Sequence, residues 1–216
     1  LMKLSTQELE AIRGKEVGMI LQDAMTSLNP LFTIGDQVGE VFKYHQGISD
    51  RGELRRKSIE VLEKVKIPAA SERIDSYPFQ FSGGMRQRVS IAINVALSPD
   101  LLICDEPTTA LDVTVQAEIL ELLRGLHKRL DSAIILITHD MGVVADMADR
   151  IIVMKDGKVV EHGSSHDIFK NPRHPYTQQL LASVPHLAEH VDDDDLADRP
   201  NTVIETEGNP VPLSAA

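Results

Sequence analysis

Asp105 and Glu106 follow directly on an apolar run, Leu101-Leu102-Ile103-Cys104, and precede Pro107. A short run of this kind reads as a buried strand, in the manner of a parallel sheet. Carboxylates at its carboxyl end lie where open α/β sheets place their ligands. An Asp there can hold a Mg²⁺ on a nucleotide, and the adjacent Glu can activate a water. Taken alone, the pair more often means two solvated acids at a strand end. Three further polar sites fall at or just after the ends of predicted elements: Gln22, Ser82-Gly83-Gly84 and His139. Each is ordinary in isolation: a surface Gln, a turn, a structural histidine. Their order and spacing carry the information.

To position these groups the chain must supply strands and helices in alternation. Residues 17–21 read as a strand ending at Gln22, and residues 23–30 as a loop by their Ser, Asn and Pro content. Helices are expected over 33–47 and 52–66, the second with Ile59, Leu62 and Val65 at three-residue spacing. Pro68 and Pro78 punctuate the following stretch. A helix starts at Ser82 and runs to about Leu97, and Ser98-Pro99-Asp100 separates it from the apolar strand. Val115, Ile119, Leu122, Leu123, Leu126 and Leu130 form one helical stripe, with Asp112 placed to cap it. Residues 133–137 are a second buried strand, and the crossover implies parallel neighbours with a right-handed connection. A short helix over 141–149 follows. A hairpin of 151–154 and 158–161 turns on Asp156-Gly157. A helical extension runs from about Ser164 to about Leu187, and the tail beyond it has no periodicity. No internal repeat is present.

These segments bear a family resemblance. Phe81-Ser82-Gly83-Gly84-Met85-Arg86-Gln87-Arg88 resembles the signature motif of the nucleotide-binding subunits of ABC transporters. Residues 101–106 resemble the Walker B strand with its catalytic Glu, and Thr109-Ala110-Leu111-Asp112 the D-loop. Ile137-Thr138-His139-Asp140 resembles the switch-histidine segment, and Ile20-Leu21-Gln22-Asp23 the Q-loop. Two longer stretches resemble the oligopeptide/dipeptide branch, whose relatives also carry nickel or glutathione: residues 22–30 as its Q-loop, and residues 171–181, with His174-Pro175-Tyr176, as its C-terminal extension. Met85 stands where the commonest signature has Gln, a variant familiar in that branch. His174-Pro175-Tyr176 has a purely structural alternative as a helix-entry motif.

The resemblance implies an α/β, P-loop NTPase-like parallel sheet core, an inserted helical subdomain and a C-terminal helical extension. Residues 1–163 are the partial ATPase domain, with 23–97 as the helical subdomain; 164–188 are the extension and 189–216 an acidic tail or linker. It implies ATP and Mg²⁺. Asp105 holds the metal through water, and Glu106 polarises the attacking water. His139 contacts the γ-phosphate, and Gln22 reaches Mg²⁺ and the water. Ser82, Gly83, Gly84 and Met85 serve the nucleotide of an opposite ATPase domain, with N–H groups and helix dipole turned to phosphate. Asp112 lies at that dimer seam. The implied partners are a second ATPase domain, identical or paralogous, and transmembrane permease subunits, with a substrate-binding protein engaged indirectly. The implied place is the cytoplasmic face of the cell membrane.

Composition narrows the remainder. The 216 residues are 42% hydrophobic and 25% charged, with a net charge of −11. Eight acids against Arg199 give residues 189–216 a charge of −7, so the other 188 residues carry only −4. A mildly acidic body argues against nucleic-acid binding. The run Asp192–Asp195 reads as a solvated linker rather than a metal cluster. No run of about 18 apolar residues exists, and residues 1–5 show no signal-peptide pattern. Cys104 is the single cysteine, so neither an internal disulfide nor a cysteine-held iron–sulfur cluster is expected.

No G-x-x-x-x-G-K-[ST] occurs; the Gly-Lys pairs are Gly14-Lys15 and Gly157-Lys158. The loop that cradles phosphates is therefore missing from this sequence. The leading expectation is a fragment of a longer ATPase, since Glu106, His139 and the signature serine are intact. Its rivals are a degenerate, non-catalytic subunit and a soluble, non-transport ABC ATPase. The chain as it stands is expected to bind Mg-ATP poorly and to be inactive alone. The acidic tail could also link to a second, tandem ATPase domain.

Overall fold

The computed structural model describes residues 3–22 and 27–183. Residues 23–26 of the expected Q-loop, residues 184–188 of the expected extension and the acidic stretch 189–216 lie outside them. The chain divides into two compact units, Leu1–His139 and Asp140–Ala216.

The first unit is built on a parallel sheet. Its strands are β1 (Val17–Ile20), β2 (Leu101–Asp105) and β3 (Ala133–Ile137), paired in that order. The register sets Ile20 beside Cys104, and Asp105 beside Ile137. All three strands therefore end at nearly the same level, and the residues just past them emerge together. Ile20, Leu102 and Cys104 are buried on one face. Burial pushes the Cys104 thiol up to about 12, which makes it an inert core residue. On the other face Met19, Ile135 and Ile137 stay 47–50% exposed. The expectation that β3 is a buried strand is thus corrected. Its apolar side chains suit a pleated strand, but β3 is an edge strand of this sheet, with β2 as its one neighbour among the described residues. Burial of both faces requires a covering layer that a strand's own sequence does not specify.

Helices fill the connections. After α1 (Thr6–Ile12), α2 (Ile34–Gln46) and α3 (Arg51–Lys64) pack as a pair. Thr33 and Asp36 cap α2 reciprocally, satisfying two backbone donors, and Gly47 closes it in the left-handed region. A short α4 (Ala70–Arg73) and a 3-10 turn (Pro78–Gln80) lead into α5 (Gly83–Val95). Asn94 of α5 accepts from the Met19 N–H at 2.9 Å. A Cβ on Gly18 would come within 2.7 Å of the Asn94 carbonyl oxygen, so glycine permits this approach of helix to strand. Between β2 and β3, α6 (Val113–Leu130) buries Ile119, Leu120, Leu122, Leu123 and Leu126. The expected stripe is therefore the core face, with Val115 and Leu130 at its two ends only partly buried.

The second unit begins with α7 (Met141–Met147), capped by Asp140, which accepts from the N–H groups of Gly142 and Val143. A hairpin of β4 (Arg150–Lys155) and β5 (Lys158–Ser164) turns on Asp156 and Gly157. Both turn residues have positive φ, as a two-residue hairpin of this twist requires. The expected single helical extension is instead two helices, α8 (Ser165–Lys170) and α9 (Pro175–Ala182). Pro172 and Pro175 lack the N–H that a continuous helix would use there. Ile151, Val153 and Ile168 form the core, packed by Phe169, Tyr176 and Leu180. Among the described residues no helix is long and apolar enough to cross a membrane.

Candidate active site

The shared level of the three strand ends collects Gln22, Glu106 and His139. Gln22 Nε2 donates to Glu106 Oε2 at 2.9 Å, and the His139 Nδ1 lies 2.9 Å from Glu106 Oε1. A third group joins them: Thr109 Oγ1 donates to Glu106 Oε2 at 2.9 Å. The Glu106 side chain is 24% exposed and that of His139 is 73% exposed, so the cluster faces solvent. The His139 ring, then the Thr109 hydroxyl, hold the Glu106 carboxyl below the usual carboxylate range. Glu106 is thus an ionised acceptor near neutral pH. A carboxylate has about four lone-pair sites, so three donors leave room for one water. With its Nδ1–H on Glu106, neutral His139 presents Nε2 outward as an acceptor; the protonated ring presents a second donor.

Glu106 itself sits at a φ of +44°. This left-handed conformation is unusual for a residue with a Cβ and costs energy unless its surroundings hold it. Two hydrogen bonds do so: the Glu106 N–H donates to Ile137 O at 2.9 Å, and the Thr109 N–H donates back to Glu106 O at 3.3 Å. The first ties Glu106 to the end of β3, two residues before His139. Asp105, the last residue of β2, is partly exposed beside it. Gln22 commits its NH₂ to Glu106, which leaves its carbonyl oxygen as a donor atom. Asp105 and that oxygen are hard ligands of the type Mg²⁺ takes, one or two per site with water and phosphate completing the shell. The donor set therefore fits a hydrated Mg²⁺. It does not fit a protein-caged metal: among the described residues no three His, Cys, Asp or Glu converge.

The signature residues stand on α5. Ser82 is its N-cap and accepts from the Met85 N–H at 3.3 Å, while Ser82 and Gly83 are exposed. A Cβ on Gly84 would fall 2.4 Å from Val115 Cγ1, so this glycine is required by the packing of α5 against α6. That is a reason for the glycine that the sequence reading, which turned it toward a phosphate, did not see. Asp112 caps α6 and accepts from the Val115 N–H at 3.0 Å. Arg88 fixes the two helices from behind: it meets Glu118 at 2.7 Å and donates to the Val65 carbonyl at 3.1 Å. The structure thus brings Gln22, Glu106 and His139 into contact, and places Ser82, Gly83, Gly84, Met85 and Asp112 on a neighbouring helix pair.

The sequence named Thr109 and Arg88 only as members of the D-loop and signature segments, with no role of their own, and did not single out Asn94. For Thr109 a signal existed: a hydroxyl three residues after a carboxylate, across one turn, is the spacing at which side chain and backbone interlock. Asn94 and Arg88 act over long separations in sequence and left none.

In the second unit the Asn171–Thr177 stretch is clamped by Glu161. Its carboxylate accepts from the N–H groups of Arg173 at 2.7 Å and His174 at 3.1 Å. The carboxyl lies below its ordinary range through the nearby Thr177 hydroxyl first, then the Arg173 and His174 N–H groups. That hydroxyl is fully buried and stops short of a well-formed hydrogen bond. His174 caps α9, its Nδ1 accepting from the Tyr176 N–H at 3.1 Å, and Pro175 fills the first helical position. The Tyr176 ring packs on the core and carries Lys155 Nζ 4.8 Å from its centre. His174-Pro175-Tyr176 is therefore a helix-entry motif in this structure.

The chain is similar to known proteins. The family model described as ABC transporter matches residues 2–109, and that described as oligopeptide/dipeptide transporter, C-terminal region, matches residues 160–210. The oligopeptide transport ATP-binding protein OppD of Bacillus subtilis (strain 168) is 54% identical over 187 residues, 87% of this chain and 52% of that protein. The dipeptide transport ATP-binding protein DppD of the same organism is 52% identical over 187 residues, 87% and 56% respectively. The chain spans about half the length of these curated relatives. Among solved structures, a dimeric post-hydrolysis state of the ATP-binding cassette MJ0796, bound to ADP and Pi, superposes with a TM-score of 0.66 at 30% identity. The match covers 76% of this chain and 68% of that one.

Proposed function

This chain belongs to the ABC transporter family, and on that premise we propose that it forms part of the ATP-hydrolysing subunit of an importer for oligopeptides or dipeptides. One observation carries the proposal: Glu106, at the end of the central strand, is held at once by Gln22, Thr109 and His139. An ionised carboxylate so held can take the proton of a water aimed at a γ-phosphate. The water O–H bond breaks as the O–P bond forms, and the bond from the γ-phosphorus to the bridging oxygen breaks to release ADP. The proton passes from Glu106 to phosphate or solvent. His139, exposed at the surface, turns its other ring nitrogen to the γ-phosphate. Asp105 and Gln22 would hold Mg²⁺, which supplies charge neutralisation between the phosphates.

At the start of α5 (Ser82, Gly83, Gly84 and Met85) the N–H groups of Gly83 and Gly84 face the nucleotide of a second ATPase domain, the Met85 N–H being held by the Ser82 hydroxyl, with Asp112 at the seam between the two domains. The reading is supported by MJ0796, whose structure is a dimer bound to ADP and Pi. A permease partner is supported by an apolar patch on the helical part of the first unit. Leu31, Phe32, Tyr77 and Phe79 are exposed, the Tyr77 and Phe79 rings stack, and the Ile34 N–H donates to Ser76 O between the two segments. Such a patch marks an interaction surface, and its partner would place the chain at the cytoplasmic face of a membrane. The peptide substrate is supported by the relatives OppD and DppD and by the matched C-terminal region.

Deleting the chain from its cells tests the proposal. Uptake of labelled di- and oligopeptides should fall and return with the wild-type chain, and E106Q should fail to restore it. Full uptake with E106Q would favour a non-hydrolytic role.

A further inference from the structure

We propose that Thr109 is the positioning residue that keeps the Glu106 carboxylate aimed during turnover, while Gln22 and His139 exchange partners. The inference rests on the hydrolytic reading of this site given above. Three donors reach Glu106, and they differ in how they are tied to it. Gln22 arrives across 84 residues of sequence and His139 across 33. Both are exposed, and both belong to segments that must turn toward nucleotide if they are to serve it. Once they do, their hydrogen bonds to Glu106 are lost. Thr109 is three residues away in the same turn. Its N–H holds the Glu106 carbonyl at 3.3 Å while its Oγ1 holds Oε2 at 2.9 Å, so backbone and side chain of Glu106 are gripped by one residue.

The grip is anchored. Thr108 beside it is buried, and the Leu111 N–H closes the next turn onto the Thr108 carbonyl at 3.1 Å. Glu106 needs an anchor because its φ of +44° sets a side-chain direction that the isolated residue rarely adopts. Thr109 also occupies Oε2, the oxygen it shares with Gln22. When Gln22 and His139 depart, Oε1 is cleared entirely and becomes the oxygen that faces water. Thr109 thereby decides which carboxylate oxygen accepts the proton, without itself touching the reacting atoms.

The test compares variants in the membrane complex captured through the full chain, with ATP turnover as the readout. T109V keeps the branched shape and removes the hydroxyl; T109S keeps the hydroxyl. T109V should lower kcat roughly 10- to 100-fold, the range for losing a hydrogen bond to a charged group, with KM for ATP unchanged. T109S should retain most of the wild-type kcat. E106Q, run beside them, should be inactive. Wild-type kcat in T109V with E106Q inactive overturns the role of Thr109 and leaves the hydrolytic site standing. Equal losses in T109V and T109S, tracking lost thermal stability, overturn it in favour of a structural turn residue. Turnover in E106Q at the wild-type rate overturns the hydrolytic reading, and this inference with it.

Discussion

Glu106 follows the end of β2 and Glu161 sits in the middle of β5, and both carboxyls are held below the ordinary carboxylate range. They are held differently. Glu106 is met by the exposed side chains of Gln22, Thr109 and His139, from three separate segments. Glu161 is met by two consecutive backbone N–H groups at a helix entry and by a buried threonine. A side-chain donor can rotate away and return, so the first arrangement can change during a reaction. A backbone donor leaves only if the chain unfolds locally, so the second is framework. Under the proposed function, the same residue type with the same direction of shift serves chemistry in one unit and architecture in the other. A perturbed carboxylate alone would not separate them.

The comparison is tested most strongly at Glu106. E106Q should reduce peptide uptake by at least about 100-fold, the usual scale for removing a general base, while thermal unfolding stays unchanged. A large loss of stability would mean that the cluster is framework after all. Next comes Gly84, whose missing Cβ belongs to packing. G84A forces a methyl against Val115 and should cost roughly 1–3 kcal/mol by overpacking, measured by chemical denaturation.

At Glu161 the expectation is reversed relative to Glu106. E161Q should lower the melting temperature and leave the turnover of folded protein intact. Because the folded Glu161 carboxyl titrates lower than in the unfolded chain, its contribution is complete above the unfolded value. It disappears as pH falls through the depressed folded value. Wild-type protein should therefore lose stability on acidification through that window, and E161Q should lack that part of the loss. An identical acid limb in both would show that the clamp does not depend on ionised Glu161. Smallest is Asp112, a side chain holding a backbone N–H. D112A should cost about 1 kcal/mol through the lost helix cap, and any much larger loss of turnover would point to the nucleotide seam.

Much of the first unit was legible in the sequence. The strand at 101–105 and the helix capped by Asp112 announce themselves through local patterns, and Gln22, Glu106 and His139 through their places after apolar runs. Less was legible where a feature depends on something distant in sequence. The helical extension read as one element from about Ser164 to about Leu187, and Pro172 and Pro175, which lack the N–H a continuous helix needs, divide it. β3 read as buried because composition reports what a strand tolerates, not what covers it. His174-Pro175-Tyr176 kept both its family and its structural meanings until Glu161, ten residues and more upstream, was seen to grip its backbone.

The sequence by itself determined the kinds of groups present and the order in which they occur: a parallel α/β core, a carboxylate pair behind a strand, a histidine behind the next. Those follow from side-chain chemistry and from periods of two and 3.6 residues, which are local. Only the tertiary structure decided that Gln22, Thr109 and His139 converge on one carboxylate, that Gly84 exists to admit Val115, and that Glu161 is a clamp. Each depends on the register of parallel strands or the approach of two helices. Register sums many weak pairings over the whole sheet, and helix approach is set by the atoms of both partners at once. Neither is encoded at any single position of the chain.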